Sequence, residues 1–100
     1  MPANQVTLDC FATINEKNVV SRELEGEAVI LNLETGTYFG LNEVGTRAWA
    51  LIQEHQSLRK VFEGLQQEFE VTPATLEGDL LRTVEELRAK GLVTISQAKK

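Results

Sequence analysis

The pattern of hydrophobic and polar residues changes near Asn18 and again after Leu41. Between these positions lie short runs rich in β-branched and aromatic residues, separated by turn-forming residues, which is typical of strands. The predicted strands cover residues 19–24, 27–32 and 37–41. Glu25-Gly26 fits a tight hairpin turn, and Gly36 supplies the positive φ angle that a three-residue hairpin loop needs. The pattern therefore predicts a three-stranded antiparallel meander.

Beyond the predicted strands, hydrophobic residues recur at intervals of three and four, which predicts α-helices. The predicted helices cover residues 43–54, 58–69 and 73–90. Asn42 and Ser57 are suitable N-caps for the first two helices, and Thr72 followed by Pro73 begins the third. Gly91 is expected to end that helix in a left-handed conformation. We predict an α+β fold that is winged helix-turn-helix-like, with the order β-β-β-α-α-α.

The chain has 100 residues, which suits a single domain with one modest hydrophobic core. Residues 1–17 show no sustained periodicity, so we expect an N-terminal arm that is mostly irregular. Residues 18–96 form the predicted domain, and residues 97–100 a frayed tail. After the third helix, residues 92–95 are expected either to pack back onto the domain or to add a short strand.

The charge balance argues against a nucleic acid partner. The chain carries 10 Lys and Arg against 15 Asp and Glu, a formal net charge of −5, whereas nucleic acid binding relies on basic side chains that neutralise phosphates. No apolar run reaches the roughly 18 residues of a membrane helix, and the first ten residues lack the pattern of a signal peptide. We therefore expect a cytoplasmic protein with no membrane partner.

The residues that usually carry catalysis or bind metals are scarce. The chain has one histidine and one cysteine, too few for the nitrogen and sulfur ligands of a structural zinc site. His55 lies in a polar connection between helices, and Cys10 is expected to be a small buried hydrophobic residue. We predict no catalytic residues, no metal and no cofactor.

Several short motifs occur together in the strand and helix region. They are Thr35-Gly36-Thr37-Tyr38-Phe39, Leu41-Asn42 followed by Gly45, the helical Trp49, Asp79-Leu80-Leu81 in the third helix, and Gly91-Leu92 at its end. In this combination the chain resembles the PqqD family, over about residues 19–95. The resemblance implies a recognition element for ribosomally made, post-translationally modified peptides (RiPPs). Such an element binds the leader of a precursor peptide and presents the peptide to a modifying enzyme, such as a radical SAM protein or a peptidase.

The resemblance also implies where the peptide binds: as an added strand beside the third predicted strand, against the third helix. The site residues predicted on this basis are Thr37, Tyr38, Phe39, Gly40, Leu41, Glu77, Leu81, Val84, Glu85 and Arg88. Leu81 lies at the flank of the apolar stripe of its helix, so it either forms a wall of the cleft or belongs to a wide core stripe. Tyr38 and Phe39 point to opposite faces of the sheet, which leaves one for the core and the other for a ligand.

Two alternatives belong to other functional classes. The first is a winged-helix DNA-binding or transcription regulator, which the predicted element order allows and the charge disfavours. The second is a homodimeric assembly subunit that uses the same sheet edge to pair with a second copy. Binding of an extended leader peptide remains the main prediction, because a free sheet edge can accept a peptide as an extra strand.

Overall fold

The computed structural model describes residues 6–97, which contain five strands and three helices. In chain order they are β1 (Cys10–Ile14), β2 (Val19–Leu24), β3 (Glu27–Asn32), β4 (Tyr38–Gly40), α1 (Glu43–His55), α2 (Leu58–Glu68), α3 (Pro73–Ala89) and β5 (Val93–Gln97). The α+β class is confirmed, with a three-stranded antiparallel sheet followed by three helices. No helix in the described range is long and apolar enough to cross a membrane.

The three-stranded sheet has the order β2-β3-β4, and both pairings are antiparallel, as predicted. Gly26 and Gly36 both have positive φ angles in the two turns, as the hairpin geometry requires. In β3, burial alternates along the strand, with Ala28, Ile30 and Asn32 facing inward. One face of the sheet therefore packs on the helices, and the other faces away from them.

The N-terminal arm, predicted to be mostly irregular, contains a strand over Cys10–Ile14. β1 pairs antiparallel with β5, and the two form a second, separate sheet. Cys10, Ala12 and Ile14 point into the core, in a strictly alternating burial pattern. Gln97 is part of β5 and pairs with Cys10, so the tail does not begin there; residues 98–100 lie outside the described residues. Of the two outcomes expected for the segment after the third helix, the structure has the strand, β5.

The core lies between the helices and the inner faces of the two sheets. α1 is central, because it contacts α2, α3, β1 and β3. Trp49 of α1 is buried, in agreement with a core role. Asn42 caps α1 through its side-chain oxygen, which accepts a hydrogen bond of 2.8 Å from the Gly45 amide. Ser57 caps α2 in the same way, and Pro73 stands at the start of α3.

Candidate functional site

The outer edge of β4 has no strand beside it among the described residues. On the inner edge, the Thr37 carbonyl accepts a hydrogen bond of 2.8 Å from β3, and the Leu41 amide donates one of 2.8 Å to β3. Alternate residues of an antiparallel strand bond to opposite sides, so Phe39 also faces β3. The backbone N–H and C=O groups of Tyr38 and Gly40 therefore point outward. They form a short row of donors and acceptors that a further strand can use.

An open cleft of about 630 Å³ lies between this edge and the C-terminal half of α3. Its lining residues come from one strand and one helix: Tyr38, Phe39, Gly40, Glu86, Ala89 and Lys90. The cleft combines apolar surface with one acidic and one basic side chain. Its walls suit an extended segment that offers backbone groups to β4 and side chains to α3.

The two aromatic residues of β4 have different environments. Tyr38 is 73% exposed on the outward side of the sheet. Phe39 is half-buried against the core, and its ring lies 5.6 Å from the Lys90 ammonium, within the range of a cation–π contact. Both residues line the cleft, but Phe39 forms its floor and Tyr38 its rim. Of the other predicted strand residues, Thr37 is exposed and Leu41 is buried in the core.

The structure does not bring the predicted residues of α3 to β4. Leu81 precedes Glu86 by five residues, which places it about 140° around the helix from the cleft. Leu81 is half-buried against the core. On its flank, Glu85 accepts a hydrogen bond of 3.4 Å from the Val6 amide, so this side of α3 faces the N-terminal segment.

The remaining predicted residues of α3 also lie away from the cleft. Glu77 and Arg88 share the flank of Leu81 and Glu85, by their spacing on the helix, and Arg88 makes a 2.8 Å ion pair with Glu85. Val84 is fully buried and offers no surface. Three residues that sequence reasoning missed line the cleft instead: Glu86 and Ala89 of α3, and Lys90, which follows the helix.

Asn32 fixes the position of α3 relative to β3 and β4, and sequence reasoning missed it. It is a buried polar residue, 3% exposed. Its Nδ2 donates to the Lys90 carbonyl at 3.0 Å, and its Oδ1 accepts from the amides of Glu34 at 2.9 Å and Thr35 at 3.3 Å. One side chain thus joins the β3–β4 turn to the end of α3. The signal in the sequence was a polar residue at an inward position of β3.

Gly91 completes this connection at the end of α3. Its φ angle of +75° ends the helix, and a Cβ atom there would lie 3.1 Å from Asn32 Nδ2. The Gly91 carbonyl accepts a hydrogen bond of 2.8 Å from Asn15 Nδ2, which joins the same point to the segment after β1. The cleft wall at Lys90 is therefore held from two sides.

A smaller depression of about 120 Å³ lies between α3 and the N-terminal end of α1. Arg82 lines it, one helical turn before Glu86, so both cavities lie along the same side of α3. Arg82 forms an ion pair of 2.9 Å with Asp79. An extended segment leaving the cleft along α3 would meet this polar surface next.

Two ion pairs hold elements together away from the cleft. Arg47 of α1 makes two hydrogen bonds, of 2.7 and 2.6 Å, to the carboxylate of Glu68 in α2. These bonds lower the pKa of Glu68 and raise the pKa of Arg47. Arg59 of α2 forms a 2.7 Å ion pair with Asp9, which likewise raises the pKa of Arg59. The second pair joins the N-terminal segment to the helices.

Within residues 6–97, no group of three or more His, Cys, Asp or Glu side chains is arranged to hold a metal ion. The cleft itself contains one carboxylate, one ammonium and apolar surface. This arrangement can bind a peptide backbone and select side chains by size and charge.

The chain is similar to a known protein family and to a solved structure. Residues 27–93 match the model of a family described as coenzyme PQQ synthesis protein D (PqqD). Among solved structures, the chain is similar to TbiB1 in complex with the TbiA(beta) leader peptide, with 37% sequence identity and a TM-score of 0.74. The similarity covers 81% of this chain and 93% of the TbiB1 chain. No curated protein matches the chain.

Proposed function

Because the chain belongs to the PqqD family, we propose that it is a non-catalytic element that binds the leader of a ribosomally made precursor peptide. The observation that carries the proposal is the outer edge of β4, which no other strand within residues 6–97 pairs with, beside an open cleft in a chain 37% identical to the leader-bound TbiB1. The bound peptide is presented to a modifying enzyme, such as a radical SAM protein or a peptidase.

In the proposed complex, the leader forms a fourth strand of the sheet. It hydrogen-bonds to the outward backbone groups of Tyr38 and Gly40, while alternate leader side chains point toward α3. An apolar leader side chain fits against Phe39 and Ala89, where it displaces the Lys90 ammonium from the ring. Burial of such a side chain contributes roughly 1.5–3 kcal/mol to binding.

The charged residues of the cleft add selectivity. Glu86 and Lys90 are one helical turn apart and exposed, and both line the cleft. Once Lys90 leaves the face of Phe39, its ammonium is available to a leader carboxylate, and Glu86 remains available to a leader lysine or arginine. The site residues in this proposal are therefore the β4 residues predicted from the sequence together with Glu86, Ala89 and Lys90.

An NMR titration with the leader peptide encoded near this chain tests the proposal. We expect the backbone amide signals of Tyr38 and Gly40 to shift together with those of residues 86–90. A peptide with the same composition in scrambled order is the control and should leave these signals in place. Shifts confined to α1 and α2 would contradict the proposal.

Salt dependence separates this function from DNA binding. Strand addition depends on backbone hydrogen bonds and apolar contacts, so leader affinity should change little between low and high salt. Binding to phosphates would weaken steeply under the same change. Analytical ultracentrifugation with and without leader tests the alternative of a homodimer that uses the β4 edge, because the leader would then dissociate the dimer.

A further inference from the structure

The face of the three-stranded sheet that points away from the helices carries a cluster of exposed apolar side chains. We call it the outer face and define it by Val20, Leu24, Val29, Leu31 and Tyr38. Val20 is 49% exposed, Leu24 62% and Val29 41%. Large exposed apolar clusters on a small protein usually mark an interaction site.

The strand register makes these residues one surface. Val20 pairs with Leu31, and Leu31 pairs with Tyr38, so the three form a row across all three strands. Val29 lies two residues before Leu31 on the same side of β3. A shallow depression of about 380 Å³ lies over this face, lined chiefly by apolar side chains.

None of the other described elements covers the outer face. The three-stranded sheet packs on the helices through its opposite side, where Ala28 and Ile30 are buried. β1 and β5 form their own sheet, and β1 packs against α1 and α2. The N-terminal strand, which could in principle have folded over this face, is used elsewhere.

The charges around the outer face decide what kind of surface fits it. Glu25 and Glu27 lie at or beside the β2–β3 turn, whereas Arg22 lies within the outer face, where it pairs with Val29 and lines the depression. The chain as a whole carries a net charge of −5. A second copy would bring together two chains of net charge −5, which opposes self-association. A complementary partner surface is apolar opposite Val20 and Val29, offers a hydrogen-bond acceptor or carboxylate to Arg22, and carries Lys or Arg opposite Glu25 and Glu27.

The outer face is continuous with the proposed leader site. Tyr38 belongs to the outer face and also lines the cleft. A leader strand added at the β4 edge would extend the outer face by one strand. A protein docked on this face would thus contact the sheet and the bound peptide at the same time.

We propose that the outer face is the docking surface for the enzyme that modifies the bound peptide. This inference rests on the proposed leader function and assigns that enzyme a place in the complex. The enzyme would approach from the side opposite the helices, with an apolar patch over Val20 and Val29 and basic side chains near Glu25 and Glu27.

The test uses two variants of the outer face, Val20→Glu and Leu24→Glu, in the full chain. Both positions are about half exposed, so the substitutions should leave the fold intact. Val71→Glu is the matched control, because Val71 is a similarly exposed valine outside the sheet, between α2 and α3. The probes are a radical SAM protein or peptidase and a precursor leader peptide, both chosen from the genes that neighbour the gene of this chain.

We expect Val20→Glu and Leu24→Glu to weaken enzyme binding by about tenfold or more in biolayer interferometry. Leader affinity, measured by calorimetry, should stay within about twofold of the wild type, since neither residue lines the cleft. Reversal of the rim charge in Glu27→Lys should slow enzyme association at low salt. Val71→Glu should bind enzyme and leader as the wild type does.

Unchanged enzyme binding by both outer-face variants would overturn the docking proposal, with leader binding still intact. A wild-type protein that binds the enzyme but not the leader would instead overturn the proposed function. A wild-type dimer that Leu24→Glu dissociates would show that a second copy, and not the enzyme, covers the outer face.

Discussion

Asn32 is the residue on which the geometry of the cleft depends most directly, through its side-chain amide. It bonds to a carbonyl at the end of α3 and to two amides of the β3–β4 turn. A buried amide is stabilising only when its donors and acceptors are satisfied. Asn32 meets this condition by holding together the two elements that form the cleft walls.

Replacement of Asn32 by alanine should destabilise the protein and weaken leader binding. The change removes three hydrogen bonds and leaves the Lys90 carbonyl without its side-chain donor, a cost of about 2 kcal/mol. Urea denaturation measures this loss, and calorimetry of the folded protein measures the affinity. Asn18→Ala is the control, because Asn18 is exposed, and it should change stability by less than about 0.5 kcal/mol. An Asn32→Ala variant with wild-type stability would contradict the structural role.

At the scale of elements, β4 and α3 contribute different kinds of recognition. The strand offers backbone groups through the edge that no other described strand pairs with. The helix offers the side chains of Glu86 and Ala89, and Lys90 follows directly at its end. Each contribution can be removed while the other stays in place, so the two sides of the cleft can be tested separately.

Proline at position 40 tests the strand contribution. The Gly40 N–H points away from β3, so Gly40→Pro should remove a donor from the free edge without removing one from the β3–β4 ladder. We expect a folded protein whose leader affinity falls by about fivefold or more, as the loss of one backbone hydrogen bond implies. Gly40→Ala adds a side chain into open space and keeps the donor. Equal affinities of the two variants would count against strand addition.

A pair of variants in α3 tests which flank of the helix contacts the leader. Ala89→Glu places a charge in the cleft and should lower leader affinity by about tenfold or more, with little change in stability. Leu81→Asn changes the opposite flank. It should cost about 1 kcal/mol of stability and leave leader affinity unchanged. Thermal denaturation and calorimetry of both proteins provide the comparison, and the reverse pattern would place the leader on the Leu81 flank.

For the whole molecule, the pairing of β1 with β5 makes the N-terminal segment part of the fold. β1 packs against α1 and α2. The bond from the Ala12 amide to the Gln56 carbonyl, at 2.8 Å, joins it to the connection between these helices. The segment therefore contributes to the core even though the family match begins later, at residue 27.

Substitutions at two neighbouring positions of β1 test whether this strand is part of the hydrophobic core or only lies on the surface. Ala12 is fully buried, so Ala12→Glu forces a carboxylate into the core and should cost more than about 3 kcal/mol. Thr13 is exposed on the other side of the same strand, and Thr13→Glu should cost less than about 1 kcal/mol. Circular dichroism melting curves measure both. Similar stabilities for the two variants would show that β1 is dispensable for the fold.

The local elements and the family resemblance were determined by the sequence itself. Neighbours within a few residues determine the three strands of the meander, the turns at Gly26 and Gly36, and the three helices, with side-chain caps at Asn42 and Ser57. Such interactions depend on the local order of residue types. The strand half of the candidate site, including Tyr38 and Phe39, was predicted from the family resemblance and not from the local pattern.

Only the tertiary structure decided which parts of the chain meet. β1 and β5 come from opposite ends of the chain, and a five-residue alternation is too short to identify its partner. The apolar stripe of α3 has two flanks, and its periodicity is the same whichever of them faces β4. Packing against α1, α2 and β5, with Asn32 bonded to the Lys90 carbonyl, places Ala89 in the cleft and Leu81 outside it. That choice depends on contacts between distant residues, which local patterns do not encode.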